Sequence, residues 1–77
     1  MEIQVIVFGQ LTDILKSSSF SLTGIADTNG LVSELNKRYP ALTNSKYMIA
    51  VDKQTVTGNM HLKEGSIVAL LPPFSGG

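Results

Sequence analysis

The 77-residue chain contains no cysteine, which removes disulfides, thiolate nucleophiles and cysteine-ligated metals together. Histidine occurs once, as His61. With no second histidine and no cysteine to share a metal, a solvent-facing loop residue is the better reading, and no metal site is expected. An excess of charge is also missing. Six basic residues balance six acidic ones, so no field gathers phosphate backbones, and no nucleic-acid partner is expected. The acids Glu2, Asp13, Asp27, Glu34, Asp52 and Glu64 fall at turns, caps and helix exteriors, and none is paired at a spacing suited to acid–base work. No glycine sits in a strand-to-helix phosphate loop. The opening segment carries Glu2 where a signal peptide carries basic residues, and its apolar run is far short of the roughly 20 residues a membrane span needs. A cytoplasmic protein without membrane contact is the expectation.

What is present is a packed globule. A hydrophobic fraction of 43% against 16% charged residues is too apolar for a disordered tail, and the length suffices for one domain. "EIQVIVF" at residues 2–8 places Ile3, Val5 and Val7 on one face at period two, the mark of a strand, while Ile6 and Phe8 leave the other face apolar as well. Gly9 breaks the run. Leu11, Ile14 and Leu15 then recur at helical spacing over residues 10–16, and "SFSLT" alternates as a half-solvated strand. A long helix is expected at residues 28–39, capped by Asp27 or Thr28, striped by Leu31, Val32, Leu35 and Tyr39, and stopped by Pro40. A third strand starts at Tyr47, and a short segment runs through Val56. Gly58 and Asn59 suit left-handed loop conformations, Gly65 suits a tight turn, and "SIVALL" is the last strand.

The first and last strands are apolar on both faces, so both belong in the middle of a sheet. The fold class that follows is α+β: a mixed sheet of four to five strands with central first and last strands, one long helix and a short helix, the β-grasp of ubiquitin-like proteins. One helix of this length covers one sheet face only. The other face should then expose a patch containing Phe8 and Leu70 or Leu71, of the kind that marks a partner surface.

The chain divides into a domain at residues 1–71 and a tail at residues 72–77, "PPFSGG". Pro72 and Pro73 fix φ and resist collapse, while Gly76 and Gly77 carry no side chains, so a narrow channel can admit them. Six extended residues reach on the order of 20 Å. A frayed end is the plain alternative. The prolines before the glycines oppose it, and Ser75 has no base within sequence reach to act as a nucleophile.

The stretch "LKEGSIVALLPPFSGG" resembles the carboxy-terminal signature of the molybdopterin synthase small subunits (MoaD), ubiquitin-like sulfur carriers, and "IQVIVFGQLTDIL" is similar to that family's first strand and short helix. The resemblance implies a sulfur-carrier subunit of molybdopterin synthase with no active site of its own. The Gly77 carboxylate would be adenylated and converted to a thiocarboxylate, needing no cysteine. It would donate sulfur to cyclic pyranopterin monophosphate in molybdenum cofactor biosynthesis. The implied partners are a large subunit (MoaE-like) in a heterotetramer, an adenylating enzyme (MoeB-like) and a sulfur donor. No cofactor is implied for this chain, since ATP is used by the activating partner. Phe74, Ser75 and Gly76 would thread with Pro72 and Pro73 into the large subunit, and Phe8, Leu70 and Leu71 would form the interface. A sulfur carrier for thiamine or tRNA thiolation, or a ubiquitin-like protein modifier, is the alternative. Thr12 and Asp13 stand where many relatives carry a basic residue, and Phe74 where valine is common.

Overall fold

A computed structural model describes residues 2–72. Strand β1 (Glu2–Val7) buries Ile3, Val5 and Val7 and turns its alternate residues the other way, as its period-two pattern requires. Helix α1 (Leu11–Leu15) follows, then β2 (Ser19–Thr23), helix α2 (Thr28–Arg38), β3 (Met48–Val51), β4 (Gln54–Thr55) and β5 (Ile67–Leu71). The five strands form one sheet in the order β2-β1-β5-β3-β4. Strands β1 and β5 run parallel at its centre, from Gln4 opposite Ile67 to Val7 opposite Leu70. The other pairings are antiparallel. This is the mixed β-grasp expected from the two apolar termini.

Both helices lie on one face. Leu11 and Leu15 of α1 and Leu31 and Leu35 of α2 join Ile3, Val5, Val7, Val68 and Leu70 in a single core. Leu31, Leu35, Val5, Val68 and Leu70 are fully buried, each worth roughly 1.5–3 kcal/mol relative to exposure. Helix α2 ends one residue before the expected Tyr39, ahead of Pro40. Pro40 also opens a 3-10 turn, Pro40–Asn44, that buries Leu42 against the core. The sequence pattern did not show that turn, because one leucine carries its whole apolar contact.

Asn59 takes a different role from the one expected. Gly58 has a positive φ of 92° and Asn59 does not. Its side chain serves the start of α2 instead: Oδ1 accepts from the Asn29 N–H at 2.8 Å, and Nδ2 donates to Asp27 Oδ2 at 3.1 Å. The other Asp27 oxygen accepts from the Gly30 N–H at 2.8 Å, and the buried Thr28 hydroxyl accepts from the Met60 N–H. The helix start and the 58–61 loop are thus one hydrogen-bonded clasp, in which the first-turn donors of α2 are satisfied. The Gly30 N–H, then the Asn59 amide, and to a smaller extent the nearby His61, hold the Asp27 carboxyl below its ordinary value against a partial opposing effect of desolvation. A depressed carboxylate pKa stabilises the fold above the unfolded-state value and loses that contribution as pH falls through the folded one. Asn59→Ala is expected to lower stability by about 1 kcal/mol at neutral pH, with a smaller deficit once Asp27 is protonated in both proteins. Thermal melts from pH 7 down to the lowest pH at which both proteins still fold check this, and a deficit that never narrows as pH falls would contradict it.

Candidate functional site

Among the described residues no layer covers the sheet face opposite the helices. Register alone decides which side chains stand there. Ile6 of β1 lies opposite Ala69 of β5, which lies opposite Ala50 of β3, and Leu71 lies opposite Met48. Continuing the β1–β5 register by one residue sets Phe8 beside Leu71. Phe8 is 45% exposed and Ile67 is 47% exposed, while Ile6, Ala69, Leu71 and Met48 are half-buried. These residues form a contiguous apolar surface across the three inner strands. On the β2 side it is bounded by Ser19, Ser21 and Thr23, with the Gln4 amide donating to the Ser21 hydroxyl at 3.0 Å. An apolar centre with a polar border is the anatomy of a protein-binding surface.

Of the three residues expected at an interface, Phe8 and Leu71 stand on this face and Leu70 does not. Leu70 is fully buried in the helix-side core. Strand alternation requires this once Leu71 faces outward, so Leu70 supports the domain and has no surface to offer a partner. The short helix α1 does not cover the patch either, because both its leucines point into the same core as α2.

The patch adjoins the point where the chain leaves the sheet. The Phe8 N–H donates to the Leu70 carbonyl at 3.0 Å, the last rung between the central strands. Pro72 follows Leu71 and, lacking an N–H, ends the ladder. Its ring packs on Gly9, which has φ +61°. In the sequence Gly9 marks only the end of a strand, whereas the parallel register, extended by two residues, places position 9 opposite position 72. The remaining tail residues singled out in the sequence, Pro73, Phe74, Ser75, Gly76 and Gly77, lie outside the described residues. His61 is exposed, and its backbone bridges to Asp27. Among the described residues no three His, Asp or Glu side chains gather as a metal site, and no helix is long and apolar enough to cross a membrane.

A family model described as "ThiS family" matches residues 5–77. The chain belongs to the ThiS family. Its fold is also similar to that of a putative molybdopterin converting factor subunit 1 from Pyrococcus furiosus, with a TM-score of 0.85 at 21% identity over 95% of this chain and 98% of that one. A second similar structure is the complex of subunits 1 and 2 of the molybdopterin-converting factor from Helicobacter pylori, with a TM-score of 0.75 at 26% identity over the whole of both chains. The small archaeal modifier protein SAMP1 from Haloferax volcanii matches with a TM-score of 0.80 at 19% identity, again over the whole of both chains. This ThiS-family protein therefore has the ubiquitin-like fold of the ThiS- and MoaD-type sulfur carriers.

In this ThiS-family chain Phe8 lies outside the core cluster and is largely exposed, so it can be altered without unfolding the domain. Phe8→Asp places a charge on the apolar surface at the end where the chain leaves the sheet, and its burial on docking would cost several kcal/mol. The expected outcome is loss of partner binding by at least tenfold in calorimetry, with a melting temperature close to that of the parent chain. Unchanged binding would show that a different face docks.

Proposed function

We propose that this chain is the sulfur-carrier subunit of a molybdopterin synthase. The observation that carries the reading is the apolar sheet face, open and contiguous with the exit of β5, in a ThiS-family chain whose sequence continues from that exit into "PPFSGG". A docking surface beside the root of an arm that ends in two glycines lets a partner hold the domain and receive the arm at once.

Residues 1–71 act as the body and residues 72–77 as the arm. On an activating enzyme of MoeB type, the Gly77 carboxylate attacks the α-phosphate of ATP, giving an acyl adenylate and releasing pyrophosphate. A carboxylate is a poor electrophile, and the adenylate supplies a leaving group. A sulfide-level sulfur from the donor then attacks the carbonyl carbon, the bond to AMP breaks, and a thiocarboxylate remains. Pro72 and Pro73 carry the arm outward, and Phe74, Ser75 and Gly76 follow it into a large subunit of MoaE type, where the sulfur passes to cyclic pyranopterin monophosphate. Phe8 and Leu71 hold the two subunits together, one carrier at each end of a heterotetramer. The chain binds no cofactor in this scheme, and ATP is consumed on the activating partner. The H. pylori complex of subunits 1 and 2 supports a large-subunit partner. The likeness to SAMP1 favours one competing reading, a protein modifier whose Gly77 ends in isopeptide bonds to lysines.

The test is a reconstitution from purified components: the thiocarboxylated chain, the large subunit and the pyranopterin precursor. Product carrying the dithiolene should form, and a chain lacking Gly77 should bind the large subunit with unchanged affinity and yield none. A thiocarboxylated chain that docks and gives no dithiolene would refute the molybdopterin assignment. Gly77 recovered in isopeptide linkage instead would favour the modifier.

A further inference from the structure

Where the chain leaves the sheet, nothing in the hydrogen-bond ladder sets its direction. The last rung is Phe8 N–H to Leu70 O, and Pro72 has no N–H to make another. Its φ is held by the ring, so packing of that ring is what orients the segment at the root of the arm. The ring lies against Gly9, where there is no side chain. A β-carbon at position 9 would lie 2.8 Å from Pro72 Cγ and 3.4 Å from its Cδ. That is inside van der Waals contact, and a backbone φ of +61° disfavours most side chains there independently.

The surface under the ring is itself anchored. The Gly9 carbonyl accepts from the Thr12 N–H at 3.1 Å and from the Thr12 hydroxyl at 2.9 Å. Thr12 sits on α1, and the flanking Leu11 and Leu15 are in the core. The turn at 9–12 is thus tied to the body of the domain on one side and touches Pro72 on the other.

We propose that Gly9 is a positioning residue: its side-chain-free α-carbon seats the Pro72 ring and so sets the direction in which the chain leaves β5 toward an activating or acceptor partner. Thr12 holds the seat in place. This rests on the carrier reading above, since only a delivered tail has a use for an aimed root. Seating lowers the conformational freedom lost when the tail is engaged. It acts on binding of the tail and leaves the chemistry at its end untouched.

Two arms of one experiment separate this proposal from that reading. In the full chain, proton NOE contacts between the Gly9 α-protons and the Pro72 ring are expected, and their absence overturns the seat whether or not the chain carries sulfur. In the activation assay with ATP, a MoeB-type enzyme and sulfide, the variants are Gly9→Asn, which tolerates positive φ while adding the β-carbon, and Pro72→Ala, which removes the ring and restores an N–H, so that the segment can follow the ladder instead of the seat. Each is expected to raise the apparent KM for the carrier about tenfold with kcat unchanged. Both remove one contact, so the double variant should be no worse than either single one. An unchanged KM in both, or a double variant whose loss is the product of the two, overturns the seat. Failure of the parent chain to acquire a thiocarboxylate sinks the carrier reading and leaves the NOE arm to decide the seat.

Discussion

The parallel pairing of β1 with β5 fixes most of what this protein can do. It joins the two ends of the described chain at the centre of the sheet, from Gln4 opposite Ile67 to Val7 opposite Leu70. Parallel strands need a long crossover between them, and here everything between β1 and β5 serves as that connection: both helices, the 3-10 turn and the three remaining strands. The pairing also sets Phe8 beside Leu71 and Gly9 beside Pro72. One register therefore builds the core, the open patch and the root of the arm.

A single helical layer makes the two faces of the sheet unequal. On the helix side the central strands are buried completely, with Val5, Val68 and Leu70 inaccessible. On the other side the same strands present Phe8, Ile6, Ile67 and Leu71 to solvent or to half-burial. Burying these would stabilise a complex by roughly 25 cal/mol for each square ångström of apolar surface removed from water, before the costs of association are subtracted. The domain thus keeps apolar surface that its own folding does not use, and the surface lies where the chain leaves the sheet.

Much of this was legible in the sequence, for identifiable reasons. Two-sided apolar strands at both ends implied a central pair, and the stripe of Leu31 and Leu35 between Asp27 and Pro40 implied the covering helix. The open face followed by subtraction. Three features were not legible. The burial of Leu70 rather than its exposure depends on which residue of "ALL" begins the outward phase, and a slip of one residue reverses every side chain. The clasp made by Asn59 is a long-range contact with Asp27 and Asn29, invisible to local propensity, which saw only a turn residue. The 3-10 turn at Pro40–Asn44 is too short for any periodicity to register.

In the proposed sulfur carrier the chemistry lies in the Gly77 carboxylate, and intact mass spectrometry after incubation with ATP, a MoeB-type activating enzyme and a sulfide source reads it out. The expected result is a gain of the mass of one oxygen-to-sulfur exchange, located at Gly77. A chain extended by one alanine beyond Gly77 is expected to gain nothing while melting at the same temperature. A parent chain that stays unmodified while a ThiS-family carrier in the same mixture is converted would contradict the carrier reading.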